Sequence, residues 1–343
     1  MATDRSGKAA LVEKPRTERV AAALEAEGVY DPSRRIDAYD ADRVALPITD
    51  PPTETDVEAV ADVDLPLRRR GLEDVLRARG VPDRVVEAAP ASWAVIGDVI
   101  LVDFGDVSGA ATLDRAARET VGEALLEVHG EAETVLARGG ISGTCRDPTG
   151  EVIAGSGDTE TVHTEGGIEY ALDLSETMFS PGNKAERARM GEVVSAGERV
   201  FDMFAGIGYF SLPMARAGAS VTAAEIDPTS HRRLVENARR NGVAARLDAI
   251  GGNCRDVDAT ADRVVMGYYD AHEYLDSALD AVVSGGVIHL HEATPEALFP
   301  DRPIGRLRDA AAIVGLSVDV LDARRVKSHS AGVVHGVVDA RVE

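Results

Sequence analysis

The sequence predicts an α/β protein. A doubly wound parallel sheet forms the C-terminal part, preceded by a smaller α+β domain and a small N-terminal module. Three observations predict it. From about residue 185, apolar runs of strand length alternate with runs of helical period, the pattern of a parallel sheet with crossover helices. The stretch "DMFAGIGYFSLP", residues 202–213, joins the first of those strands to an apolar helix start through two glycines separated by one residue. The length, 343 residues, exceeds one small core, so two or three domains are expected. The predicted boundaries are 1–64, 65–175 and 176–343.

In the first segment, "RTERVAAALEAEGVYD" has helical period and stops at Gly28. "ALPITDPPTETD" then reads as an extended, Pro-punctuated linker. Residues 68–88 carry two short helices around Gly80 and Pro82. "WAVIGDVILVDF" alternates as a strand pair broken at Gly97, and "TLDRAARETVGEALLEVHG" is an amphipathic helix. Residues 141–178 hold several short strands, with turns at "DPTGE" and "EGG". In the last segment "RVFDMF" is a strand and "YFSLPMARAG" a helix ending at Gly218. "SVTAAEID" is a strand, followed by a helix with Pro228 at its start and Gly242 past its end. "ADRVVMGYY" is a strand, "AHEYLDSALDAVVSGG" a helix and "VIHLHEAT" a strand. A sheet of this kind binds its ligand at the carboxyl ends of the strands.

Composition bounds the compartment. There is no apolar run of membrane-spanning length and no signal-peptide core in "MATDRSGKAALVEKPRTERV". Cys145 and Cys254 lie far apart and form no CxxC pair, which argues against a disulfide framework and a cysteine-based zinc site. A soluble cytoplasmic protein is expected. The formal charge is −22, from 37 basic and 59 acidic residues. Such a charge ordinarily argues against nucleic acid, because phosphate binding relies on Lys and Arg. Acidic residues spread along the chain, Arg preferred to Lys and few aromatics also suit a halophilic cytoplasm near molar salt. There the Debye length is about 3 Å, and net charge reports the solvent instead of the partner. The other reading is an acidic enzyme of ordinary salt with a small anionic or neutral substrate.

The glycine turn of residues 204–208, with Phe204, Gly206 and Gly208, lets a ligand approach the backbone at a helix N-terminus. Turns of this type hold a nicotinamide dinucleotide, a nucleotide phosphate or S-adenosylmethionine. Leu212 and Pro213 stand where a third glycine would pack the helix, which weakens the dinucleotide reading. Asp202, just before the turn, would repel a pyrophosphate and suits an ammonium. S-adenosylmethionine has an ammonium, a sulfonium and no phosphate. Glu225 ends the next strand 23 positions later, where a carboxylate accepts from ribose hydroxyls; the plainer reading is a surface acid. Asn253 of "GGNCRD" is placed to read an adenine edge, or simply makes a turn. His289 and His291 share a strand face beside Glu292. No third ligand with metal spacing is visible, so a polar site edge or core histidines are preferred to a metal.

Beyond these generic signals, "TETVHTEGGIEYALDLSETMFSPGNKAERARM", "DMFAGIGYFSLP", "ADRVVMGYYDAHEYL", "GGVIHLHEATPE" and "KSHSAGVVHGVVDARV" together resemble one family over roughly residues 65–343. It is the archaeal wybutosine-synthesising tRNA 3-amino-3-carboxypropyltransferase family, sister to the tRNA (guanine-37-N1)-methyltransferases. The resemblance implies a Rossmann-like class I methyltransferase fold with S-adenosylmethionine as group donor. It implies the tRNA(Phe) anticodon loop as partner, with no membrane and no obligate protein partner. Ser180 of "MFSPGN" and Arg187 of "ERARM" match family positions that contact the cofactor, and Glu225 matches the ribose-binding acid. Asn253 and Cys254 stand where the family has an Asp-Asn pair near the adenine. His329 replaces a Tyr of the family's "KSYAPG" pattern. Residues 1–64 resemble the extra domain of the sister methyltransferases, which implies a grip on the tRNA body.

One stretch separates the two families. The methyltransferases carry an "NLP"-type motif after the fourth strand, whereas this chain has "MGYYDAHEYL", with Gly267–Tyr269 at the strand end and Gly267 a candidate cofactor contact. Whichever carbon on the sulfonium faces the nucleophile within attack distance reacts. The resemblance implies that the γ-carbon faces C7 of 4-demethylwyosine at position 37, and that methylthioadenosine leaves. His291 and Glu292 are candidates to assist loss of the C7 proton. Basic clusters at Arg68, Arg69 and Arg70 and at Arg324, Arg325 and Lys327 are candidates for phosphate contact. The alternatives are a guanine-37 N1-methyltransferase and a tRNA-binding protein without catalysis.

Overall fold

A computed structural model describes residues 6–68, 71–105, 113–142 and 147–343, so Arg69, Arg70 and Cys145 lie outside the described residues. The chain divides into two compact units, 1–80 and 81–343.

The first unit is a four-stranded antiparallel sheet with one long helix. Its elements are β1 (Ser6–Glu13), α1 (Thr17–Glu27), β2 (Asp37–Ala38), β3 (Arg43–Ile48), β4 (Ala59–Asp64) and α2 (Leu72–Ala78), with strand order β2-β3-β1-β4. Val20 and Leu24, four apart and so on one face of α1, pack with Ala10, Val12, Leu46 and Ile48. The expected linker is therefore partly wrong: Ala45–Ile48 are buried in β3. The run "VALPI" before the prolines at 51–52 is continuously apolar, because this strand is covered on both faces. Pro47 is tolerated because β2 reaches only Val44 and Ala45, and the proline lies beyond that ladder.

The second unit begins with α3 (Asp83–Glu87) and a sheet of β5 (Trp93–Ile96), β6 (Val99–Val102), β7 (Thr134–Ser142) and β8 (Asp147–Gly155). Between β6 and β7 runs α4 (Arg115–Val128), a crossover that leaves those two strands parallel. "DPTGE" is not a turn but the opening of β8, with Pro148 near its first residue, where a missing N–H is cheapest. A hairpin of β9 (Glu160–Glu165) and β10 (Ile168–Asp173) follows, turning at "EGG" as expected.

Strand–helix alternation then builds the main sheet. The elements are α5 (Lys184–Val193), β11 (Arg199–Asp202), α6 (Ser211–Arg216), β12 (Ser220–Glu225), α7 (Pro228–Arg240), β13 (Leu247–Gly251), β14 (Ala261–Met266), α8 (Leu275–Ala281), β15 (Val282–Pro295), α9 (Asp301–Ile313), β16 (Val318–Ser330) and β17 (Val333–Val342). Strand order is β13-β12-β11-β14-β15-β17-β16. The first five strands run parallel; β17 is antiparallel to both β15 and β16. The order reverses between β11 and β14, which is where an open sheet of this kind leaves a ligand crevice. "VVSGG" was expected in a helix and instead opens β15, because two β-branched residues and two glycines cannot extend α8.

Apolar residues cover both faces of the sheet. On one, Leu212, Met214 and Leu234 join Ile168, Tyr170 and Leu172 of the hairpin and Ile96, Val99 and Leu136 of the smaller sheet in one core. On the other, Leu275, Leu279, Leu307 and Ala311 cover Val264, Ile288 and Leu290. The buried amide of Asn237 on α7 closes the free edge of the hairpin: Oδ1 accepts from Ala171 N at 2.8 Å, and Nδ2 donates to Ala171 O and Ile207 O. No described helix is long and apolar enough to cross a membrane.

Candidate active site

A pocket opens at the carboxyl ends of β11, β12, β13 and β14, as the sheet order predicts. Eight of the ten predicted cofactor residues line it: Ser180, Arg187, Phe204, Gly206, Glu225, Asn253, Cys254 and Gly267. Asp202 and Gly208 do not.

Asp202 is fully buried beneath the glycine turn. Its Oδ2 accepts from Ser211 Oγ at 2.6 Å, tying the end of β11 to the first turn of α6. Burial pushes its pKa up to about 6, opposed by the hydrogen bond from Ser211. It therefore holds the turn together from beneath, off the pocket wall. Gly208 has φ +104°, and a Cβ there would stand 2.6 Å from Leu212 Cγ and 3.1 Å from Leu234 Cδ1. Its bareness lets α6 and α7 pack, which is the role the sequence had assigned to the absent third glycine. Gly206 differs: φ is +56°, and a Cβ would collide with the Tyr209 ring on the pocket wall.

Glu225 ends β12 as expected. Its Oε2 accepts from Gly206 N at 2.7 Å and its Oε1 from Asp227 N at 2.8 Å, so strand end and glycine turn are locked together. Burial raises its pKa, and these two backbone donors oppose the rise. A carboxylate has further lone pairs for ligand hydroxyls. Arg187 is buried against Glu165, with Nε and Nη2 donating to Oε1 and Oε2 at 2.7 and 2.8 Å. Its Nη1 donates to Ser180 O at 3.0 Å, holding the loop before α5 against the pocket. Lys327 Nζ donates to Ser180 Oγ. Asn253 Oδ1 accepts from Arg255 N at 3.0 Å, leaving the amide NH2 as the donor end. Burial pushes the Cys254 thiol up to about 11, so it presents a neutral surface.

Sequence reading missed the aromatic wall. Phe204 packs on Tyr268 and edge-on to Tyr274, with ring centroids 5.3 and 5.0 Å apart. Tyr209, Phe210 and Tyr269 complete it, together with Met178 and His335. The "GYY" at the end of β14 was the available signal. Gly267 is needed there, since a Cβ would stand 2.8 Å from the Phe210 ring. His329 packs edge-on to Tyr269 at 4.6 Å, which gives the substituted position an aromatic contact.

The two predicted catalytic residues part company. Strand alternation puts His291 and Glu292 on opposite faces of β15. Glu292 is buried and accepts from Arg302 Nε at 2.8 Å; Arg306 Nη1 lies 2.9 Å away as an ion pair. Both arginines belong to α9, and Glu292 is absent from the pocket wall, so it fastens that helix to the sheet. His291 stops one layer short of the pocket. Its ring packs on Phe210 at 5.1 Å, and its Nδ1 lies 3.0 Å from His335 Nε2. His289 is paired with Asp339 at 2.6 Å. Among the described residues no cluster of three His, Cys, Asp or Glu has the arrangement of a metal site. Within the basic cluster, Arg324 is held by Glu186 and Asp339, Arg325 pairs with Glu296 on the surface, and Lys327 donates to Ser180 Oγ.

The chemistry of the wall selects a ligand. Arg187 is the one arginine or lysine on it among the described residues, and Glu165 already neutralises that charge. On the wall itself a pyrophosphate would meet only that paired guanidinium. A buried carboxylate at a strand end, a bare glycine cradle and several aromatic rings suit a nucleoside carrying a cation and no phosphate. S-adenosylmethionine fits this description.

Comparison with known proteins agrees. Residues 161–321 match the TRM5/TYW2 methyltransferase domain, and residues 72–159 match the TYW2 N-terminal domain. The tRNA(Phe) (4-demethylwyosine(37)-C(7)) aminocarboxypropyltransferase of Pyrococcus horikoshii is 38% identical over 286 residues, covering 80% of this chain and 99% of that protein. The crystal structure of P. horikoshii TYW2 in complex with MeSAdo superposes with a TM-score of 0.67 at 37% identity, over 79% of this chain and 97% of that one. The crystal structure of Trm5b from Pyrococcus abyssi gives 0.73 at 29% identity, over 98% and 99%. By its sequence, its sheet and its site, the chain belongs to the TRM5/TYW2 methyltransferase family.

Proposed function

We propose that the chain transfers the 3-amino-3-carboxypropyl group of S-adenosylmethionine to C7 of 4-demethylwyosine at position 37 of tRNA(Phe), releasing methylthioadenosine. The observation that carries this reading, over guanine N1-methylation, is the loop at the end of β14. Gly267, Tyr268 and Tyr269 form the wall there, without the amide–Leu–Pro that manages a guanine N1 proton. The pocket holds the adenosine end at β12 and β13. Glu225 takes the ribose hydroxyls and the Asn253 NH2 donates to the adenine ring. The donor supplies a sulfonium whose three carbons are all electrophilic, and orientation decides which one reacts. The aromatic wall around Phe204 and Tyr268 packs against the sulfonium and orients it.

The anticodon loop enters beside Tyr269, and residues 1–64 grip the tRNA body. The acidic composition suits a cytoplasm near molar salt, and no obligate protein partner is invoked. The test is to incubate the protein with S-adenosylmethionine and tRNA bearing either guanosine or 4-demethylwyosine at position 37. Methylthioadenosine from the second substrate alone is expected. S-adenosylhomocysteine from the guanosine tRNA, with no thioadenosine from either, overturns the reading in favour of a methyltransferase.

A further inference from the structure

A nucleotide that enters the pocket leaves its flanking phosphates at the mouth. Which side chains meet them rests on the reading above, that position 37 of tRNA is brought here. Phosphate contact needs a cation that no carboxylate of the chain already holds. In the C-terminal basic cluster Arg324 and Arg325 fail that condition, since Glu186, Asp339 and Glu296 hold them. On the wall Arg187 fails it against Glu165.

Two cations at the mouth meet the condition. Arg255 directly follows Asn253 and Cys254 of the wall and is exposed. Its backbone N–H donates to Asn253 Oδ1 at 3.0 Å, which fixes the short turn Cys254–Asp256. Its guanidinium carbon lies 3.9 Å from the centre of the Tyr274 ring, and Nη2 donates to Glu273 O at 2.6 Å. Tyr274 is itself part of the wall, edge-on to Phe204. Lys184 directly follows Asn183 of the wall, opens α5 and is exposed. Neither cation forms an ion pair among the described residues. They flank the mouth from two directions. Arg255 comes after β13, one edge of the sheet, while Lys327 of β16, the other edge, bonds the loop that leads to Lys184.

We infer that Arg255 and Lys184 contact the backbone phosphates on either side of nucleotide 37. The stack on Tyr274 and the bond to Glu273 O orient the Arg255 guanidinium before any ligand arrives. A carbonyl oxygen and a ring hold a cation without neutralising it. A guanidinium has five N–H donors, and one is used here, so four remain for phosphate oxygens. Asp256 and Glu273 neighbour Arg255 in its own loops, so the mouth has no broad positive field. Near molar salt, where the Debye length is about 3 Å, placed contacts count and a broad field does not. A chain of charge −22 can thus bind RNA through a few oriented cations.

The experiment measures binding of tRNA(Phe) bearing 4-demethylwyosine to the full chain across a potassium chloride series, together with S-adenosylmethionine affinity and steady-state rates. For Arg255→Gln and for Lys184→Gln, tRNA affinity falls by about three- to thirtyfold and KM for tRNA rises with it, while kcat stays within about threefold. The slope of log affinity against log salt falls by about 1 in each variant and about 2 in the double variant. Arg255→Lys keeps the charge and recovers part of the affinity and slope. Arg239→Gln is the control. It removes the same charge from an exposed arginine of α7, nine positions past Ser230 of the wall or roughly 14 Å along the helix, and leaves tRNA affinity within about twofold. If Arg255→Gln or Lys184→Gln keeps the parental affinity and slope, or Arg239→Gln weakens binding equally, the inference is overturned. It is also overturned if Arg255→Gln loses S-adenosylmethionine affinity with the tRNA slope unchanged, which makes the arginine a support for Tyr274 alone. By-products from the parent judge the transfer reading separately. S-adenosylhomocysteine without methylthioadenosine overturns that reading, and the salt series still decides the phosphate contacts.

Discussion

Glu225 and Glu292 are both carboxylates at or near strand ends, yet only one faces the pocket. The difference is a question of parity and neighbours. Glu225 is the last residue of its strand, and backbone donors on both sides turn it toward the crevice. Glu292 lies inside a longer strand, on the face that meets Arg302 and Arg306. Period-2 alternation was readable in "VIHLHEAT" and would have separated Glu292 from His291. What no single-strand pattern supplies is the identity of the cross-strand neighbour, so His335 stayed hidden 44 residues further on. Glu225→Ala is expected to weaken S-adenosylmethionine binding by about 1.5–3 kcal/mol, the worth of hydrogen bonds to a charged acceptor. Binding of tRNA should change much less. Isothermal calorimetry giving equal cofactor affinity in variant and parent would remove the ribose assignment.

At the level of elements, the glycine turn was legible as a ligand-binding feature, but its two glycines were read alike. Their surroundings divide the labour. Gly206 faces the pocket through Tyr209, while Gly208 faces the contact of α6 with α7. Gly206→Ala should therefore lower cofactor affinity, because the added methyl displaces a wall tyrosine. Gly208→Ala should lower stability by about 1–3 kcal/mol, from a strained positive φ plus the clash with two buried leucines. Thermal unfolding and cofactor titration on the two variants separate these outcomes; a Gly208→Ala protein as stable as the parent would refute the division. The parallel strands and their helices were readable because buried parallel strands are continuous apolar runs bounded by turn residues. β1 and β3 were missed for a different reason. β3 is buried on both faces and shows no period-2 alternation, and the prolines beside it read as a linker.

For the whole molecule, charge is the open variable. The net charge of −22 coexists with basic side chains that are already paired within the chain: Arg324, Arg325, Arg302 and Arg187 each contact a carboxylate. Phosphate contact by such residues has to compete with those partners, and long-range repulsion of tRNA opposes approach at low salt. Binding to tRNA is thus expected to persist in molar potassium chloride, with bulk repulsion screened first. Filter binding across a salt series checks this, and an affinity that peaks at low salt and falls steadily contradicts a high-salt origin. One feature of the sheet reaches beyond equilibrium. β17 follows both β15 and β16 in the chain yet lies between them. On the ribosome, both neighbours emerge before the strand that joins them. Until it arrives, β15 presents an open edge of N–H and C=O groups, and β16 has no place in the sheet. The His335 side of the pocket is thus completed after the Glu225 side, so the nascent chain builds one wall of its pocket well before the other.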